Sequence, residues 1–440
     1  MGGLAFASGP DAVFTPRMQP DVYRAVRDRC QEKLRSLFVV VATPIEGPAK
    51  TTFGDSKCIS SFGAVPLEAI CKILGAIRSK SENKNTATIA IPWPEDFPYT
   101  GDEAKTNGIE SEGNDETSPA KLKPLCIQVD VHVCPTLDYL QWMLFKHAHG
   151  DLWNLLGATI RPFGLTIDEV GLYVRIPEIE EIDKKKARVL LSTDPAEILQ
   201  FLGLKFDDKQ WEEPFASDED MFEYAATCRL FWVKVKDVSA DNDISTFPDG
   251  GDRAIGADKR KLKANDRRRI AYRPLFRKWI EEFLPACRSS GRFTRTPPTR
   301  DEVRRQAFEY FPGTQSIYFA QAAEWRIEHQ MKTLWNSVIK PALPDDLEVN
   351  QRSCCAAALK KIILHDDTTF GDIVAPLALK REDGLFDEDA VRVWVQDNWQ
   401  HVLDVAWAIN QQRYKEVLKQ KELKGATNRT VSGSEIPADI

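Results

Sequence analysis

The chain has 440 residues, of which 42% are hydrophobic and 28% are charged. These proportions are those of an ordinary globular protein, and the length is sufficient for two or three domains. A net charge of −7 excludes attraction of nucleic acid by the field of the whole molecule, so any such binding would need a local basic patch.

Neither a membrane span nor a disulfide framework is predicted. No window reaches the roughly 18 apolar residues of a membrane-spanning helix, and residues 1–20 lack the basic and apolar regions of a secretory signal. The nine cysteines are scattered without a CxxC pair, which favours reduced thiols over disulfides or a zinc site. A cytoplasmic or nuclear protein that has no membrane partner is therefore expected.

The first part of the chain alternates helical and strand patterns. Apolar spacing predicts a helix over 21–36, a buried strand over 37–41 and, after a proline-rich turn, Gly54-Asp55. Further predicted elements are a helix from Pro66, strands over 86–91, 125–134 and 172–176, a helix from Leu137 and a helical turn over 151–158. The polar, acidic stretch 100–120 predicts a disordered surface loop between two of the strands.

The rest of the chain is predicted to be helical. Ser192, Thr193 and Asp194 are candidate caps of a short helix over 196–201, and Ser217-Asp218-Glu219-Asp220 would cap another that reaches about Cys228. Helical patterns then cover 274–287, 300–310, 318–340, 350–363, 387–397 and 399–422. The predicted organisation is a mixed-sheet domain over 20–180, a small central unit over 190–236, a linker over 237–266, a helical domain over 267–424 and a disordered tail over 425–440.

Asp130 is the residue with the strongest functional signal. It lies in the apolar strand Cys126–Cys134, where an unpaired charge would cost several kcal/mol. Alternation places Asp130, His132 and Cys134 on one face and the three valines on the other. The valine face is expected to pack in the core, so Asp130 would point either to a cleft or to a solvated face.

The order of these elements, with Gly54-Asp55 before one strand and Asp130 within another, resembles the nucleotidyltransferase superfamily typified by DNA polymerase beta, in a fungal-type branch. The stretch Gly150–Ile176 adds to this resemblance. It implies an α+β fold, with a mixed sheet flanked by helices and followed by a mainly α-helical C-terminal region. In that family three carboxylates hold two magnesium ions for phosphoryl transfer.

Carried over to this chain, the resemblance makes Asp55 the first catalytic and metal-binding carboxylate and Asp130 the third. Lys57 stands where the second carboxylate belongs. Gly54 and Arg161 would contact a nucleoside triphosphate. An ammonium group at position 57 opposes magnesium binding, which leaves two interpretations: a degenerate site, or a gene model that lacks a strand after Asp55.

Two functional hypotheses follow from the resemblance. In one, the protein is a Mg²⁺-dependent nucleotidyltransferase that uses an NTP. In the other, it is a non-catalytic scaffold, and its helical domain binds a protein or RNA partner.

A basic cluster is the remaining functional candidate. Lys259-Arg260-Lys261-Leu262-Lys263 is followed by Arg267-Arg268-Arg269, which fits a nuclear localisation signal, a phosphate-backbone contact or a solvated helix start. The nearby aromatic residues Tyr272, Phe276 and Trp279 recur at near-helical spacing, which favours the inner face of a helix.

Overall fold

The structure is a computed structural model that describes residues 3, 5–9, 11–48, 50–61, 65–83, 85–99, 123–206, 211–233 and 264–431. The predicted loop over 100–120 lies outside these residues, as does the predicted linker up to residue 263. The chain forms two compact units, Met1–Gln315 and Ser316–Ile440, which are described separately below. The domain limits expected from composition remain predictions.

The first unit contains a five-stranded mixed sheet. Its strands are β1 (Val40–Ala42), β2 (Ser56–Ser61), β3 (Arg78–Asn83), β4 (Thr86–Pro92) and β5 (Cys126–Cys134), in the order β1-β2-β5-β4-β3. The β2–β5 pair is parallel and the other pairs are antiparallel. The mixed α/β character expected from the sequence is confirmed, although β3, which is polar, was not predicted.

One face of this sheet is apolar and packs under two helices, α1 (Pro20–Leu34) and α2 (Leu67–Leu74). The core side chains come from every second position of the strands, as the alternation predicts. Val129 and Val131 of β5 are buried there with Leu34 and Leu74. The valine face is therefore the core face, and Asp130 lies on the opposite side.

The opposite face is apolar at its two ends and polar between them. Helix α3 (Leu137–His147) begins at the cap Thr136, whose side chain accepts a hydrogen bond from the Tyr139 amide at 3.1 Å. Leu140 and Met143 of this helix pack against Ile59 and Cys134. At the other end Ala90 and Cys126 are buried under Phe6, and the positions between the two ends carry polar side chains.

The chain then forms a second, smaller sheet and several helices. The elements are α4 (Leu152–Ile160), β6 (Leu165–Ile167), β7 (Leu172–Arg175), α5 (Pro177–Glu180), β8 (Arg188–Ser192), α6 (Pro195–Leu202) and α7 (Asp218–Ala226). Asp194 and Ser217 accept hydrogen bonds from backbone amides of α6 and α7, which confirms both predicted caps. Strand β7 pairs with β6 on one side and with β8 on the other.

Helical segments complete the first unit. They are α8 (Ala264–Tyr272), α9 (Pro274–Lys278), a π-helical turn (Trp279–Phe283), α10 (Leu284–Ser289) and α11 (Arg300–Tyr310). Phe276 and Trp279 are buried as predicted, whereas Tyr272 is 57% exposed. Arg300 of α11 donates to Glu180 of α5 at 2.8 Å and to the Arg175 carbonyl at the end of β7 at 3.2 Å. Gly164, with a φ of +77°, leaves space for the Arg300 guanidinium that a larger residue would fill.

The second unit is helical. It contains most of α12 (Thr314–Leu334), a π-helical turn (Trp335–Ile339), α13 (Val349–His365) and α14 (Glu388–Val431). Its core comprises buried residues from Leu334 to Ala406, and α13 packs along the first half of α14.

Three expectations need correction. The predicted buried strand over 37–41 is only the three-residue edge strand β1, and Val39 is 79% exposed. The two helices expected over 387–397 and 399–422 are one continuous helix, α14. That helix also runs through residues 425–431, which were assigned to a disordered tail.

Candidate functional site

The candidate site lies on the polar middle part of this face of the first sheet. Lys57, Asp130, Thr88 and Lys80 are successive register partners on β2, β5, β4 and β3. Directly paired residues project from the same face of a sheet. Asp130 therefore stands in a cross-strand row with a lysine next to it on β2 and a second lysine two strands away.

Asp55 and Asp130 form a carboxylate pair. Asp55 precedes β2, and its carboxyl group hydrogen-bonds that of Asp130. Burial, followed by the charge of Asp130 and this hydrogen bond, raises the pKa of Asp55 to about 6. The parallel β2–β5 pairing brings together two carboxylates that are far apart in the sequence, as the sequence analysis predicted.

Ile45, Glu46 and Phe53, which precede Asp55 in the chain, are held by contacts from two sides of the site. On the α1 side, Tyr23 donates to the Glu46 carboxylate and stacks on Phe53 at a centroid distance of 3.8 Å. On the α3–α4 side, the His149 amide donates to the Ile45 carbonyl at 2.8 Å. Because these residues are anchored to α1 and to the α3–α4 turn, packing contacts as well as strand β2 determine the position of Asp55.

Gln128 supports the carboxylate pair. Its side-chain amide donates to Asp130 Oδ1 at 3.0 Å, and its Oε1 accepts the amide hydrogens of Gly3 and Ala5 at 3.0 and 3.2 Å. Gln128 is only 6% exposed. A buried amide with partners for both of its ends fixes the rotamer of the neighbouring aspartate.

The residues that hold Gln128 belong to an N-terminal strap, which we define as residues 3 and 5–9. Phe6 of this strap is fully buried against Val13, Ala90 and Cys126. Lys80 donates to the Ala5 carbonyl and lies 5.2 Å from the centre of the Phe6 ring. The strap therefore covers the part of the polar face beside Asp130.

Two further titratable side chains lie near β2 and β5. Lys146 and His147, at the end of α3, are both partly buried. Burial, then Lys57, Lys146 and His132, lower the pKa of His147 to about 3. Burial lowers the pKa of Lys146, although Glu169 and Asp168 oppose that shift. His147 is therefore neutral near pH 7 beside a group of lysines.

The described residues do not fit a centre with two magnesium ions. Two carboxylates converge, and no group of three or more His, Cys, Asp or Glu side chains in the described ranges could hold a metal ion. The residue beside Asp130 is Lys57. An ammonium group in that position repels a cation, whereas a magnesium pair needs carboxylates on both sides.

The six-residue strand β2 follows Asp55 directly. The alternative of a gene model that lacks a further strand after Asp55 stays a prediction. Gly54 lies two residues before β2, and its carbonyl oxygen is in close contact with Gly3 of the strap.

Arg161 lies in a 3₁₀ turn (Arg161–Phe163) after α4, where its carbonyl accepts a hydrogen bond from Arg175 at 2.7 Å. The ligand-binding roles expected for Gly54 and Arg161 stay predictions.

Gln128 and the strap were missed by sequence reasoning. Gln128 lies two residues before Asp130 in the same strand, so alternation alone places the two side chains on one face. That signal was sufficient to find Gln128. The strap carries no comparable signal, because its position depends on contacts with residues more than 70 positions away.

A comparison of the chain with protein-family models finds no match, and a comparison with curated proteins finds none either. In the described part of the chain, no helix is both long enough and apolar enough to cross a membrane.

Proposed function

We propose that residues 20–180 form a nucleotidyltransferase-like domain that has lost metal-dependent transfer and acts as a non-catalytic module. The observation that carries this proposal is the register of Lys57 beside Asp130, where the resembling family has a second metal-binding carboxylate. The Asp55–Asp130 contact supports a common origin of the site with that family. The Lys57 ammonium group supports the loss of magnesium binding at that site.

The strap supports the same proposal. It fills part of the polar face beside Asp130 with its own backbone and with the buried Phe6 ring. A substrate that approached the carboxylate pair from this side would first have to displace these contacts. Such a covered face suits a module that no longer turns over substrate.

Calorimetry with magnesium and each of the four NTPs tests this proposal in the wild type and in the Lys57→Asp variant. We expect no magnesium-dependent NTP binding by the wild type. Lys57→Asp changes the local charge by two units beside an existing carboxylate pair, so we expect it to gain magnesium affinity by at least about tenfold.

Two further variants serve as controls. Lys72→Asp makes the same charge change at an exposed position of α2, and no gain is expected there. Adding Asp130→Ala to Lys57→Asp should abolish the gain. Magnesium-dependent NTP binding by the wild type that disappears in Asp130→Ala would overturn the proposal and favour an active enzyme. A Lys57→Asp variant without any gain would show that the rest of the site has not survived.

A further inference from the structure

The segment from Arg267 to Lys278 has an unusual charge pattern. It contains six cationic residues and no acidic residue within twelve positions. Like charges four residues apart on a helix repel each other, and solvated helices usually alternate charge sign to avoid this. The repulsion within α8 and α9 therefore needs compensation from elsewhere.

Some of these cationic side chains are compensated by acidic residues of other elements of the first unit. Arg273 forms an ion pair with Asp151 at the start of α4, and Lys278 pairs with Asp218 at 3.0 Å. Arg269 lies 5.9 Å from the centre of the Phe276 ring. These contacts fix the orientation of α8 and α9 on the unit.

The cations on the outer face are not compensated. Arg267 and Arg268 are exposed and form no ion pair or hydrogen bond within the described part of the chain. At about 100° per residue, Arg267, Ala271, Arg268 and Tyr272 fall within one arc of about 140°. All four are exposed, and we call this arc the basic face of α8.

Tyr272 distinguishes this face from a simple charged surface. Its ring is 57% exposed, and it lies four residues after Arg268 on the same side of the helix. An exposed aromatic ring beside unpaired arginines is the combination that stacks a base and contacts the adjoining phosphates. A membrane-binding helix would instead present a broad apolar face, and this arc has a single aromatic ring.

We propose that the basic face of α8 binds single-stranded nucleic acid, with Arg267 and Arg268 on phosphates and Tyr272 stacked on a base. Because the whole chain has a net charge of −7, the interaction is confined to this local surface. The proposal is independent of the carboxylate pair and stands whether or not that site binds a nucleotide.

Fluorescence anisotropy of the full chain with labelled oligouridine and oligothymidine 12-mers, over a series of salt concentrations, tests the proposal. Arg267→Gln/Arg268→Gln should weaken binding about tenfold at 100 mM salt. It should also flatten the slope of log affinity against log salt by about 1.4, since each lost phosphate contact contributes about 0.7.

Matched variants distinguish binding at the basic face of α8 from non-specific attraction by positive charge. Arg24→Gln/Arg35→Gln removes two exposed arginines of the same unit, one in α1 and one directly after it, and binding should stay within twofold of wild type. Tyr272→Ala should weaken binding about fivefold, because an exposed stacking contact is worth about 1 kcal/mol. Tyr272→Phe keeps the ring and should bind like the wild type. The basic stretch at 259–263 is unchanged in every variant.

Three results would overturn the proposal. The first is absence of oligonucleotide binding by the wild type. The second is an equal loss in the α1 control and the α8 variant, which would indicate non-specific charge. The third is binding to vesicles containing phosphatidylserine that depends on Arg267 and Arg268 while the oligonucleotides do not bind, which would assign the face to a membrane surface.

Discussion

Asp55 and His147 respond to pH in opposite directions. The pKa of Asp55 rises from 3.8 to about 6, so between these values the folded state binds more protons than the unfolded state. The free energy of unfolding therefore falls as pH rises through this window. The pKa of His147 falls from 6.5 to about 3, so its contribution increases as pH rises over a similar range. The two effects largely cancel between about pH 4 and 6.

Replacing Asp55 by Asn should remove one of these opposing contributions. Asn can still hydrogen-bond Asp130 but carries no charge. We expect Asp55→Asn to be more stable than the wild type by about 2 kcal/mol at pH 7.5, a value reduced from the full pKa shift because Asp55 is partly exposed. The advantage should shrink to less than about 0.5 kcal/mol at pH 4, where Asp55 is protonated in the folded state and close to half protonated in the unfolded state.

Urea unfolding at pH 4 and 7.5 measures this difference. Asp138→Asn, at an exposed position in the first turn of α3, serves as a control for loss of a carboxylate that is not buried. An Asp55→Asn variant that is less stable than the wild type at pH 7.5 would contradict the assigned environment of Asp55.

At the same scale, the sequence was sufficient to predict some site residues and not others. Period-two alternation predicted that Asp130 and the core valines face opposite sides, because alternation is a local property of a strand. It could not predict that Asp55 touches Asp130 rather than solvent, since that contact depends on the anchoring of residues 45 and 46 to other elements. The resemblance, not the alternation, provided that expectation.

The N-terminal strap is the element that most affects access to the carboxylate pair. Its attachment rests on the buried Phe6 ring and on hydrogen bonds to Gln128. A short segment held by few contacts can open locally without unfolding of the sheet. Loss of the Phe6 ring should therefore appear as local opening rather than as a large change in global stability.

Amide hydrogen exchange in a Phe6→Ala variant tests this expectation. The Val13 amide, which donates to the Phe6 carbonyl at 3.1 Å, and the Ala5 amide should exchange at least tenfold faster than in the wild type. The Val129 amide in β5 should be unaffected. Phe6→Leu should lie between the two, because it retains much of the buried apolar area. Unchanged exchange at Val13 would show that the ring does not hold the strap.

The edge strand and the last helix show where element prediction failed. The apolar run 37–41 resembles a buried strand, but it lies at an edge of the sheet, where β1 pairs with β2 only. Edge strands are commonly short. The two helices predicted over 387–397 and 399–422 leave out Asn398, yet its side chain donates to the Trp394 carbonyl at 2.8 Å within the continuous helix α14. The edge position of β1 in the sheet explains why that strand is short, and the Asn398 hydrogen bond is compatible with one continuous helix α14.

At the scale of the whole molecule, the second unit has its own core. All buried residues of that core lie between Leu334 and Ala406. A unit with a self-contained core is expected to fold independently. We predict that a fragment spanning residues 311–431 is helical by circular dichroism and unfolds cooperatively. In this fragment Leu359→Ala, at a fully buried position, should reduce the free energy of unfolding by about 2–5 kcal/mol.

A control for the fragment is Leu377→Ala, because Leu377 is 90% exposed and its truncation should change stability by less than about 0.5 kcal/mol. A non-cooperative melt, or equal effects of the two substitutions, would show that this unit requires the rest of the chain.

The parallel pairing of β2 with β5 also constrains the order of folding. Lys57 and Asp130 are register partners, yet β3, β4 and residues 93–125 lie between them in the chain. On the ribosome β2 therefore emerges well before its central partner, and until then its only neighbour in the sheet is β1. Contacts of such long sequence separation form slowly. Assembly of the carboxylate pair must therefore follow the closure of this long loop, which makes the polar face a late product of folding.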